Sequence, residues 1–166
     1  ISAKNINKKR LIKVNKKIFF NNPLEIFKKT KIDVMFEAIG LSGGISKKVI
    51  ETALKKKIHV ITPNKALISK HGNQLAKIAE NNNVNLEFEA SVAGGIPILR
   101  SIKEGLVTNK ISKVYGILNG TSNYILSEME NSNQSFYEVL KKAQKLGYAE
   151  PGNPKLDLNG FDAFAK

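Results

Sequence analysis

Between residues 32 and 89 short apolar runs alternate with helical repeats, and only a few residues link each to the next. Ile32-Asp33-Val34-Met35-Phe36-Glu37-Ala38-Ile39-Gly40 is an apolar run closed by glycine, the pattern of a buried strand. Ser42-Gly43-Gly44 opens a helical pattern with Ile45, Val49, Ala53 and Leu54 on one face and Lys47, Lys48 and Lys55 on the other. Ile58-His59-Val60-Ile61 is β-branched and is stopped by Thr62-Pro63-Asn64. Leu67, Leu75, Ile78 and Ala79 mark the inner face of a second helix, and Val84 to Glu89 alternates as a third strand. Strand, helix, strand, helix, strand with short links specifies an α/β fold around a parallel sheet. Crossovers in such sheets are right-handed, and ligands bind at the carboxyl ends of the strands.

Downstream, Ala90-Ser-Val-Ala-Gly-Gly-Ile-Pro97 is a small-residue loop whose Pro97 suits the first position of a helix carrying Ile98, Leu99, Ile102, Leu106 and Val107. A strand is expected from Ile111 to Leu118. After Asn119-Gly120-Thr121-Ser122 comes a helix through Tyr124, Ile125, Leu126 and Met129. Ser135 with Glu138 three residues on is a capping-box pattern, and Gly147 is placed to end that helix, which buries Phe136, Val139, Leu140 and Ala143. A Pro/Gly/Asn loop (151–154) leads to Asn159-Gly160 and a last helix. The glycine loop near 91–95 is the best boundary, giving domains of residues 1–92 and 93–166. The chain begins at Ile1 and stops at Lys166 in mid-pattern, so it is expected to be a fragment.

Composition narrows the chemistry. With no cysteine, disulfides, thiolate metal sites and a cysteine nucleophile are excluded. No apolar run approaches the ~18–20 residues of a membrane span, so a soluble chain is expected. The net charge of +13 is concentrated in residues 1–31, where ten basic residues face one acid, Glu25. Such a stretch could meet nucleic acid or an anionic surface. However, of the 27 Lys and Arg residues only Arg10 and Arg100 carry the forked guanidinium that phosphate and base readers favour. Abundant Lys, Asn and Ile together read as compositional drift, and a nucleic-acid partner is not expected. Residues 1–31 also lack the apolar core of a secretory signal.

Three clusters could carry chemistry. Thr62-Pro63-Asn64-Lys65 stands at the carboxyl end of a strand, where a lysine and an amide can meet a phosphate, a ribose or a carboxamide. The same residues also suit an ordinary β-to-α turn with Asn64 as cap. Glu89-Ala-Ser-Val-Ala-Gly-Gly-Ile96 leaves backbone groups unshielded, for a hard cation, a ligand or close helix–sheet packing. Gly147-Tyr-Ala-Glu150 precedes Asp162, and Asp162 and Lys166 share one helical face, as a surface ion pair or as a proton-transfer pair. No G-x-G-x-x-G fingerprint occurs.

Taken together, these segments closely resemble homoserine dehydrogenase. The likeness is carried by Phe88-Glu-Ala-Ser-Val-Ala-Gly-Gly-Ile-Pro-Ile98, Gly116-Ile-Leu-Asn-Gly-Thr-Ser-Asn-Tyr-Ile-Leu126, Gly147-Tyr-Ala-Glu150, Leu158-Asn-Gly-Phe-Asp162 and Lys166. Glu37-Ala-Ile-Gly40 and Ile61-Thr-Pro-Asn-Lys-Ala-Leu67 fit the later half of that family's nucleotide-binding domain, while residues 1–31 match by position only. The resemblance implies an incomplete Rossmann-like parallel sheet followed by the first part of an α/β catalytic domain. It implies a cytoplasmic enzyme that interconverts aspartate 4-semialdehyde and L-homoserine with NADPH or NADH, in threonine, methionine and isoleucine biosynthesis. Lys166 would donate the proton, Glu150 and Asp162 would hold the substrate, and Ile39, Gly40, Lys65 and Gly147 would contact the cofactor. Carbonyl oxygens of Glu89, Val92, Gly94 and Ile96 would hold a structural sodium ion. The full-length parent would be a homodimer, and this fragment would be inactive alone. The alternatives are another NAD(P)-dependent amino-acid dehydrogenase and a basic nucleic-acid-binding remnant.

Overall fold

In the computed structural model, which describes residues 1–5, 7–149 and 154–165, three parallel strands form one sheet in the order β1-β2-β3. β1 (Val34–Phe36) pairs with β2 (His59–Ile61) through Val34↔His59, Met35↔Val60 and Phe36↔Ile61. β2 pairs in turn with β3 (Leu86–Glu87) through Val60↔Leu86 and Ile61↔Glu87. Two helices make the crossovers, α2 (Ile45–Lys55) and α3 (Lys65–Asn81). The expected strand–helix alternation is therefore present, with strands shorter than the apolar runs that encode them. Ahead of it, α1 (Pro23–Lys29) has Pro23 in its first turn and Asn22 as cap, accepting from Leu24 N–H.

The core explains the helical periodicity. Ile50, Ala53, Leu54, Leu67, Leu75 and Ala79 pack against Val60 and Leu86, with Phe27, Ile32 and Met35 at the margin. β1 departs from the buried strand read from the sequence, since Val34 and Phe36 are exposed. Among the described residues it pairs with β2 alone and only its Met35 face packs on the core, so a continuous apolar run does not bring burial on both faces.

The chain divides into two compact units, Ile1–Arg100 and Ser101–Lys166. The helix expected after Pro97 is broken into a short α4 (Ile98–Arg100) and a π-helical stretch, Ser101–Gly105. Leu106 and Val107 are exposed. The strand expected from Ile111 to Leu118 is absent. Ile111, Val114, Tyr115, Ile117 and Leu118 are all exposed, and among the described residues the second unit offers no strand to pair with them. An extended segment without a ladder partner has unmatched backbone groups and no reason to hold β geometry.

Helices build the rest of the second unit. α5 (Gly120–Ser132) and α6 (Phe136–Lys145) pack through Ile125, Val139 and Ala143, with Ala149 closing the cluster. Lys142 on α6 is hydrogen-bonded to Glu128 on α5. The Glu138 carboxylate accepts from both the N–H and the hydroxyl of Ser135, at 2.8 Å each, as the capping-box reading anticipated. Gly147 (φ +79) ends α6 as expected. Its N–H donates to Gln144 O and the N–H of Tyr148 to Ala143 O, the paired bonds of a Schellman turn. Two short helices follow, α7 (Lys155–Leu158) and α8 (Phe161–Phe164).

Candidate functional site

Parallel pairing brings the carboxyl ends of β1 and β2 side by side, and a buried polar network joins the loops that leave them. Glu37, the residue after β1, is only 2% exposed. Its Oε1 accepts from Ile39 N–H at 2.7 Å and its Oε2 accepts from the Thr62 hydroxyl, also at 2.7 Å. Thr62 Oγ1 in turn accepts from Asn64 N–H at 3.1 Å. The Asn64 side chain works at both ends: Oδ1 accepts from Leu67 N–H as the cap of α3, and Nδ2 donates to Leu41 O at 2.9 Å. Gly40 turns the loop at φ +82, a conformation that costs a side-chain-bearing residue more.

Ile39, Gly40 and Lys65 are thus placed at one end of one sheet. Both readings of Thr62-Pro63-Asn64-Lys65 fit that geometry, because Asn64 is a helix cap and Lys65 opens α3. A lysine in the first turn opposes the helix dipole. Placed there, it adds its charge to the positive end of that helix, a combination that suits an anionic ligand group.

The loop after β3 is turned by positive φ at Ala93 (+47) and Gly95 (+87). Val92 N–H donates to Glu89 O, and Ile98 N–H to Ile96 O. The Glu89 carboxylate reaches across the loop, accepting from Leu99 N–H at 3.1 Å and Arg100 N–H at 2.9 Å. The sequence reading did not assign that side chain this task, which sets the start of α4 against the loop.

In the second unit Asn119, almost buried, organises an acidic site. Its Oδ1 caps α5 by accepting from Ser122 N–H at 2.7 Å. Its Nδ2 donates to Asp157 Oδ1 at 2.9 Å and to Asp162 Oδ2 at 3.0 Å. Ser122 Oγ donates to Asp157 O, and Thr121 Oγ1 lies 3.4 Å from Asp157 Oδ2. The Tyr124 and Tyr148 rings stack beside it, 4.6 Å between centroids. Asp157 and Asn119 are the residues that sequence reasoning missed as site members. No short-range pattern marks Asp157, which the fold brings to Asn119 across 38 residues of chain. Asp162 is where the sequence placed it, on the last helix. Glu150 and Lys166 lie outside the described residues. Gly147 belongs to the second unit, exposed at the end of α6.

Both halves of the chain are similar to known proteins. The family model described as homoserine dehydrogenase, NAD binding domain, matches residues 2–89, and that described as homoserine dehydrogenase matches residues 97–166. The homoserine dehydrogenase of Neisseria gonorrhoeae is 45% identical over 145 residues, covering 87% of this chain and 33% of that protein. That of Bacillus subtilis is 40% identical over 168 residues, covering 100% of this chain and 38% of its own length. The crystal structure of a homoserine dehydrogenase from Thiobacillus denitrificans superposes with a TM-score of 0.80 at 42% identity, covering 89% of this chain and 34% of that one. The chain spans about a third of the length of the curated relatives it matches. With both halves matched in order and the fold shared, the chain belongs to the homoserine dehydrogenase family.

Proposed function

We propose that the complete protein carrying this chain reduces aspartate 4-semialdehyde to L-homoserine, and runs the reverse reaction, with a nicotinamide dinucleotide. The observation that carries this reading is the pair of carboxylates, Asp157 and Asp162, held on the single amide of Asn119. Two acids fixed on one donor form a site for a cationic group, and the α-ammonium of the substrate is such a group.

In this reading Asp162, with Glu150, holds the substrate ammonium, and Asn119 keeps Asp162 oriented. Lys166 donates a proton to the carbonyl oxygen. The bound cofactor supplies the hydride that reaches the carbonyl carbon. The backbone at Ile39 and Gly40 and the Lys65 ammonium hold that cofactor, NADPH or NADH. Residues 1–92 then serve as cofactor-binding domain and residues 93–166 as part of the catalytic domain of a homodimer.

The loop after β3 fits a structural sodium ion by its donor chemistry. Carbonyls of Glu89, Val92, Gly94 and Ile96 are hard, neutral oxygen donors. A carbonyl that accepts one N–H, as those of Glu89 and Ile96 do, keeps a second lone pair. The ion would brace the loop between β3 and α4.

The test is turnover by the complete gene product, followed by loss of NAD(P)H absorbance with the semialdehyde. Lys166→Ala is expected to lower kcat by about 10²–10⁴-fold with little change in KM for the cofactor. An unmodified protein without semialdehyde reductase activity overturns the reading.

A further inference from the structure

We propose that Glu37 is a positioning residue for the cofactor loop, acting through the backbone of Ile39 and the hydroxyl of Thr62; this rests on the function proposed above. Among the described residues its two partners are neutral, one N–H and one O–H, each at 2.7 Å. A carboxylate removed from water without a cation is expensive, and an apolar side chain would serve the core better. What the carboxylate does that an apolar group cannot is accept from two directions at once. One bond fixes the turn through Ile39 and Gly40, and the other ties that turn to the end of β2.

The tie continues on both sides. Thr62, 1% exposed, passes it to Asn64 N–H, and Asn64 returns it to Leu41 O. Buried Ser46 accepts from Leu41 N–H at 3.4 Å. The segment 39–41 is therefore held at three backbone atoms by side chains from β1's exit, β2's exit and α2. Lys65, next to Asn64, opens the neighbouring helix, so the network sets the spacing between the two elements that grip the cofactor. Glu37 touches neither cofactor nor substrate in this arrangement.

Glu37→Leu keeps the approximate size but removes both acceptors, so both ties break. In the complete gene product the KM for NAD(P)H is expected to rise about tenfold, equivalent to ~1.4 kcal/mol. The KM for the semialdehyde and the kcat should change less than threefold. A merely structural role would lower the active fraction, and with it the apparent kcat, without moving the cofactor KM. Thr62→Val and Thr62→Ser keep the question open to refutation if Glu37→Leu does not fold. The valine should raise the cofactor KM as Glu37→Leu does, and the serine, which restores the hydroxyl, should bring it back. An unchanged cofactor KM in Glu37→Leu or Thr62→Val, with the unmodified enzyme active, overturns this inference alone. An unmodified protein that does not use NAD(P)H overturns the proposed function and this inference with it.

Discussion

Asn119 Nδ2 lies 3.0 Å from Asp162 Oδ2, although 43 residues separate them in the chain, and the same nitrogen lies 2.9 Å from Asp157 Oδ1. One amide therefore joins the start of α5 to α7 and α8, and its own Oδ1 is committed to capping α5. One side chain thus serves both the helix start and the two acids.

Asn119→Asp separates those two tasks. An aspartate still caps α5, so the helix start is preserved. It also sets a third carboxylate against Asp157 and Asp162, and like charges raise the folded-state pKa of the group above its unfolded value of about 3.9. The sign follows: below the unfolded pKa the acids are protonated and the variant should unfold near the native midpoint. As pH rises through the raised folded values the repulsion develops, and at pH 7 the loss should reach roughly 1–3 kcal/mol. Urea unfolding at acid and neutral pH measures this, and equal destabilisation at both would refute the three-acid arrangement.

How much of this was legible in the sequence varies with the distance over which each feature acts. Helix faces repeat every three or four residues, so Val49, Ala53, Leu54, Leu67 and Leu75 were readable as core, and all are buried. Caps act within one turn, so Asn64, Ser135 with Glu138, and Gly147 were also readable. The residues of the Glu37–Thr62 tie and the Asn119–Asp157 tie are 25 and 38 positions apart. No local period encodes such a pairing, and only the fold closes it. The segment Ile111–Leu118 failed for the opposite reason: its pattern is right for a strand, but a strand also needs a partner, which pattern alone cannot supply.

Core positions should respond accordingly. Leu54 is fully buried in the first unit, whereas Tyr115 in the second is 86% exposed. Leu54→Ala is expected to cost about 2–5 kcal/mol, the range for a large-to-small change in a packed core. Tyr115→Ala should stay within ~0.5 kcal/mol. Denaturant unfolding of the two variants tests whether the apolar run 111–118 contributes to the stability of this chain, which a large loss in Tyr115→Ala would indicate.

Gly147 offers a test of fold and function at one position. A Cβ there would meet nothing within 4 Å, so the objection to a side chain is the left-handed φ of +79 alone. Gly147→Ala should therefore destabilise the second unit by about 1–2 kcal/mol. Gly147→Asn should cost less, since asparagine tolerates that region. If Gly147 also lies against the cofactor, Gly147→Asn will raise the KM for NAD(P)H in the complete protein while its unfolding midpoint stays closer to native. Parallel losses of stability and affinity in both variants would assign the glycine to the Schellman turn only.

Glu138 links the start of α6 to pH. Its pKa is lowered, first by the hydrogen bond from the Ser135 hydroxyl and then by that from the Ser135 N–H. A carboxyl depressed by folding contributes stability that is complete above its unfolded pKa of about 4.3 and is lost as pH falls through the lower folded value. The first turn of α6 should then fray at a lower pH than that at which ordinary glutamates titrate. Following the Glu138 side-chain carbon and the Ser135 amide by NMR should give coincident acid transitions, both below the ordinary glutamate range. Glu138→Ala should abolish the Ser135 amide transition and lower the helicity of α6 at neutral pH. A Ser135 amide that titrates with the bulk of the carboxyls would mean that the cap does not form in solution, and α6 would then be held by its packing and its Lys142–Glu128 bond against α5.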